Sequence, residues 1–75
     1  MILVTNDDRM GRNIRHLRQK QNLSVEAFSR LVGMEGPTLE AIEQGTLLEI
    51  DGQTLTRICL QFQVDGKALV EDHFE

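Results

Sequence analysis

Apolar residues recur at helical spacing in five stretches of this chain, and capping or turn residues stand between them. In the first stretch, over 10–21, Met10, Ile14, Leu17 and Gln21 step by three or four among good helix formers. Asp7 and Asp8 stand just upstream, where a carboxylate caps free amides or opposes the helix dipole, and Asn22 reads as a stop. Ser24 is a good N-cap for a second helix over 25–32, with Glu26 in its first turn and Phe28, Leu31 and Val32 as its apolar stripe. Gly33 then fits the left-handed position that closes a helix. A third helix fits 36–44, because Pro37 is tolerated in a first turn and Leu39 and Ile42 share one face, with Gly45 as its end. Asp51 can cap a fourth helix over 52–62, with Leu55, Ile58, Cys59 and Phe62 inward. Asp65 can cap a short fifth helix running to Val70 or slightly beyond.

Length and composition bound this pattern. Seventy-five residues allow one domain near the lower size for unassisted folding, most economically an all-α packing of short helices around one core. The organisation expected is an apolar N-terminal extension over 1–8, a helical domain over 9–71 and a tail over 72–75. One cysteine excludes an intrachain disulfide framework and a zinc site built from several thiolates, and points to a reducing cytoplasmic setting. No apolar run reaches the roughly 20 residues of a membrane span, and the run from Met1 to Val4 is too short for a signal peptide.

The net charge of -4 argues mildly against nucleic acid, but it is unevenly placed. Residues 9–30 carry six bases and one acid, a local charge of +5, while residues 31–75 carry two bases and nine acids, a local charge of -7. Such a split either steers an anionic partner to one face or is neutralised across the fold.

Two short helices joined through Gly33 form a helix-turn-helix pattern. The surrounding residues sharpen it: Ile14-Arg15-His16-Leu17-Arg18, Leu23-Ser24-Val25-Glu26-Ala27-Phe28, Leu31-Val32-Gly33-Met34 and Thr38-Leu39-Glu40-Ala41-Ile42-Glu43-Gln44-Gly45. Thr54-Leu55, Ile58-Cys59, Phe62 and Val64-Asp65 continue the match. Over about residues 11–70 the chain resembles the phage-repressor (Cro/repressor-type) helix-turn-helix family. The resemblance implies a compact five-helix fold, double-stranded DNA as partner, and a dimer on paired half-sites. It also implies that Arg18 in the first helix pairs with Glu43 at the end of the third.

In that family the second helix of the motif enters the major groove. Glu35, Gly36, Pro37, Glu40 and Ala41 occupy the reading positions here. Gly36, Pro37 and Ala41 offer no side-chain hydrogen bond, and Glu35 and Glu40 can accept from cytosine but repel phosphates. Val25 stands where the family often has a glutamine near the DNA backbone. Thr38 remains the ordinary polar candidate for base edges, and Arg12, Arg15 and Arg30 are the candidate phosphate contacts. Two readings follow: a DNA-binding transcriptional regulator with sparse base readout, or a helix-turn-helix-derived module that has lost DNA and binds protein, its acidic third helix meeting a basic surface.

Apolar residues outside the family pattern mark a possible homodimer or partner contact: Ile2, Leu3 and Val4, together with Leu47, Leu48 and Ile50 in a connector that is normally polar in the family. Residues 2–5 and 47–50 are expected either to pair as short strands, within one chain or across a dimer, or to fold back as satellites of the core. Phe74 adds an apolar residue near the C-terminus. His16 and His73 make no ligand pair, Cys59 reads as a small core residue, and Ser24 and Ser29 lack a positioned base. No metal, cofactor or catalytic role is expected.

Overall fold

A computed structural model describes residues 2–6 and 8–71, with Asp8, Val70 and Glu71 described in their backbone alone. The capping role expected of Asp7, the tail over 72–75, His73 and Phe74 lie outside the described residues, as does the side chain of Asp8. Among the described residues, five helices carry the architecture: α1 (Asp8–Lys20), α2 (Val25–Val32), α3 (Gly36–Gln44), α4 (Gly52–Phe62) and α5 (Gly66–Glu71). Two three-residue strands join them, β1 (Leu3–Thr5) and β2 (Glu49–Asp51).

The helix ends follow their capping chemistry. Ser24 Oγ accepts from the Ala27 amide at 3.0 Å, Asp51 Oδ1 from Gln53 at 2.9 Å and Asp65 Oδ1 from Lys67 at 3.0 Å. Gly33 closes α2 with φ of 71° and Gly45 closes α3 with φ of 77°, the left-handed backbone that glycine adopts without steric cost.

The core gathers one face of every helix: Met10, Ile14 and Leu17 of α1, Phe28 and Val32 of α2, Leu39 and Ile42 of α3, Leu55 and Ile58 of α4, and Leu69 of α5. The rings of Phe28 and Phe62 stack with centroids 5.0 Å apart. Leu31 departs from the expected stripe and is 49% exposed. At about 100° per residue the inward arc of α2 runs through Phe28, Ser29 and Val32, which leaves Leu31 outside it.

Two asparagines supply polar ties that periodicity does not flag. Asn13 donates to the Leu69 carbonyl at 2.7 Å, fastening α1 to α5. Asn6 donates to the carbonyls of Ile42 at 3.2 Å and Leu47 at 2.6 Å, fastening the N-terminal segment to the end of α3. Gly11 marks the contact of α1 with α3, since a Cβ there would collide with the Ile42 carbonyl oxygen.

The strands pair within one chain, antiparallel, with Leu3 opposite Asp51, Val4 opposite Ile50 and Thr5 opposite Glu49. The second strand begins later than residue 47, because the amides of Thr46 and Leu47 are both committed to the Ala41 carbonyl in the turn that ends α3. Val4 and Leu47 pack against the core and Ile50 is 2% exposed, so these three serve the chain's own interior. Ile2, Leu3 and Leu48 stay exposed.

Candidate nucleic-acid interface

The α2–α3 pair is the geometric centre of the site. Gly33 turns the chain out of α2, and its amide and that of Met34 both donate to the Ser29 carbonyl. Glu35 takes the N-cap position of α3 in an extended conformation, without donating or accepting a side-chain cap bond. The first-turn amides of α3 therefore keep the open donor character of an uncapped helix start. Pro37 follows within the first turn.

Leu39 and Ile42 anchor α3 to the core, which turns Pro37, Glu40 and Gln44 outward on one exposed line at three-to-four spacing. Gln44 also belongs to this line, although the sequence reading places it at the end of the helix and in the family match and not among the candidate contacts. Its signal is its spacing of seven from Pro37. Thr38 and Ala41 are half-buried and lie off the line, and Gly36 faces the Val25 side chain across the motif.

Beside α3, Arg18 and Glu43 form a two-point ion pair. Arg18 Nε donates to Glu43 Oε2 at 2.8 Å and the Nη2 group to Oε1 at 2.9 Å, while Nη1 donates to the Leu23 carbonyl at 2.9 Å. The side chains are 15% and 7% exposed. The hydrogen bonds with Glu43 raise the Arg18 pKa above its ordinary value, against the lowering effect of burial. This fork joins the end of α1, the turn before α2 and the end of α3.

The remaining cations of α1 distribute by helical phase. Gly11 and Arg18 both touch α3, so Arg15, four residues beyond one and three before the other, lies on the flank toward α3. Arg12 is one step further round into solvent. Arg30 is exposed in the last turn of α2 and borders the groove at the start of α3. Arg12, Arg15 and Arg30 are thus solvent-facing, whereas residues 31–45 contain three glutamates and no base.

Known proteins share this fold. The sequence profile of the family described as helix-turn-helix domain matches residues 9–69. Among solved structures, the chain is similar to the N-terminal DNA binding domain of SinR from Bacillus subtilis, with a TM-score of 0.83, 19% identity, and coverage of 92% of this chain and 100% of that one. It is also similar to the restriction-modification controller protein C.AhdI from Aeromonas hydrophila, with a TM-score of 0.74, 19% identity, and coverage of 83% and 92%. A SinR/SinI complex matches with a TM-score of 0.78 and 19% identity over 84% of this chain, which spans 61% of the chain it matches there. No curated protein sequence matches significantly. With the profile spanning most of its length and the fork, turn and outward α3 face in place, the chain belongs to the helix-turn-helix domain family.

Proposed function

We propose that this chain is a small DNA-binding transcriptional regulator of the phage-repressor type, in which phosphate contacts outweigh base readout. The observation that carries the reading is the α2–Gly33–α3 unit, which holds an outward α3 face between exposed cations of α1 and α2. In this reading α3 approaches the major groove. Arg12, Arg15 and Arg30 contact phosphates, and the Gly36 amide at the open start of α3 adds a neutral donor to the same backbone. Thr38 and Gln44 are the side chains able to donate to base edges, while Glu40 accepts only from a base amino group. Pro37 and Ala41 contribute shape.

The setting is cytoplasmic and the role is regulatory, without catalysis. A homodimer would use the apolar residues that the intrachain strands leave exposed, Ile2, Leu3 and Leu48.

Binding to random-sequence duplex DNA across a salt series tests the reading. Three phosphate contacts give a slope of about -3 in log affinity against log salt. Arg12→Glu should abolish binding and Glu40→Gln should leave it unchanged or raise it. No binding at about 50 mM salt, where counterion release is most favourable, rejects the proposal.

A further inference from the structure

The register of the two strands decides which backbone groups of β1 are already used. The Gly52 amide donates to the Ile2 carbonyl and the Asn6 amide to the Leu48 carbonyl, both at 2.8 Å. Antiparallel ladders alternate, so Val4, midway between Ile2 and Asn6 and opposite Ile50, also turns its amide and carbonyl toward β2. Leu3 and Thr5 therefore turn theirs to the open side of β1. Both residues are exposed, and these outward groups have no hydrogen-bond partner among the described residues.

The two edges of this small sheet differ in how they would meet a further strand. On β2 the outward residues are Glu49 and Asp51, whose carboxylates repel a copy of themselves, and Asp51 is engaged as the cap of α4. On β1 they are Leu3 and Thr5, with neither the charge nor the proline that ordinarily keeps an edge from pairing. Five large apolar side chains are exposed among the described residues, and three of them, Ile2, Leu3 and Leu48, stand in or beside these strands.

We propose that β1 is a dimerisation edge, which pairs antiparallel with β1 of a second copy about a twofold axis at Val4. Leu3 then lies opposite the partner's Thr5, and Thr5 opposite the partner's Leu3. Each such pair exchanges two backbone hydrogen bonds, four in all, so every outward donor and acceptor of both edges is satisfied. A second copy fits better than an unrelated strand because the outward groups are symmetric about Val4. One isologous register therefore serves both edges at once and joins the two sheets into one of four strands. A three-residue edge is small beside the roughly 1,200–2,000 Å² of a stable interface. The dimer is accordingly reversible, with a Kd on the order of 0.1 mM. This register deepens the homodimer named above and stands apart from the DNA reading, because its test contains no nucleic acid.

Sedimentation equilibrium of the full chain, from about 10 µM to about 1 mM, should follow a reversible monomer–dimer equilibrium. Amide hydrogen exchange over the same range locates the contact. Protection at Leu3 and Thr5 should rise with concentration, while Glu49 and Asp51 stay unchanged. Thr5→Pro deletes one outward amide per copy, and so two of the four bonds, without touching the ladder to β2. It should raise the Kd about tenfold. Leu3→Lys keeps every backbone group but sets a charge on each edge, and should also weaken the dimer. It carries the test if the proline variant does not fold. A chain that stays monomeric to about 1 mM, or a Leu3→Lys variant that dimerises undiminished, overturns the proposal. A dimer that protects Glu49 and Asp51 in place of Leu3 and Thr5 would assign the contact to β2 and equally overturn it.

Discussion

Glu43→Ala is the substitution through which the fold and the site are most directly coupled. It removes the acceptors of two charge-assisted hydrogen bonds at 2.8 and 2.9 Å, and it leaves the Arg18 guanidinium with its bond to Leu23. The two side chains are 15% and 7% exposed, so the cost falls between that of a surface pair and that of a fully buried one. Surface pairs contribute up to about 1 kcal/mol, and breaking a buried pair from one side costs about 3–5 kcal/mol. A loss of about 2–3 kcal/mol is therefore expected, against a total stability of about 4–11 kcal/mol for a domain of this length. Domains of this size lose about 4–8 °C per kcal/mol, so the melting temperature should fall by about 10–20 °C. Glu40→Ala is the control, because it deletes the same side chain from an exposed position of the same helix. It should change stability by no more than about 0.5 kcal/mol. Thermal unfolding followed by circular dichroism at 222 nm measures both. Melting temperatures within about 2 °C of each other would refute the assignment of the fork as a structural fastening. An Arg18→Ala, Glu43→Ala double-mutant cycle should return a coupling above about 1 kcal/mol.

Gly11→Ala gains about 1 kcal/mol in helix propensity but drives a Cβ into the Ile42 carbonyl oxygen. Separating α1 from α3 should leave a net loss of about 1–2 kcal/mol in a urea titration, and a stabilised variant would contradict the close approach. Alkaline pH should weaken the fold through Cys59. Burial, and then the Asp65 carboxylate, push this thiol above its ordinary value of 9.0. As pH rises past that value the unfolded chain loses the proton first, so it binds fewer protons than the folded chain and stability falls until the folded thiol also ionises. Cys59→Ala should remove this part of the loss when urea midpoints at about pH 8 and about pH 10 are compared.

Local signals account for how far the helices were legible. Ser24, Asp51 and Asp65 cap where their side chains compete for free amides, and Gly33 and Gly45 take the left-handed backbone. These effects act over four residues or fewer, so the sequence carries them openly. The strand pair was less legible because nothing local distinguishes Leu3 from Leu48. Register depends on the turn after α3, where the amides of Thr46 and Leu47 bond the Ala41 carbonyl, and on Asn6 reaching Leu47. The Asn6 contact joins segments 41 residues apart, and a pattern of apolar letters does not encode it. Leu31 and Ser29 show the same limit on a smaller scale. The sequence prefers the leucine as the buried residue, whereas the phase set by Phe28 and Val32 buries the serine and leaves the leucine out.

The outward face of α3 bears on the proposed function. The exposed cations of α1 stand apart from the glutamates of α3. A transcription factor devoted to base readout places donors on the outward face of its reading helix, because phosphates and most major-groove edges accept. Here that face presents Glu40 between Pro37 and Gln44. In the proposed DNA reading, affinity therefore comes from the flanking cations Arg12, Arg15 and Arg30, whose phosphate contacts carry no sequence information, so the salt slope should stay the same from one duplex sequence to another.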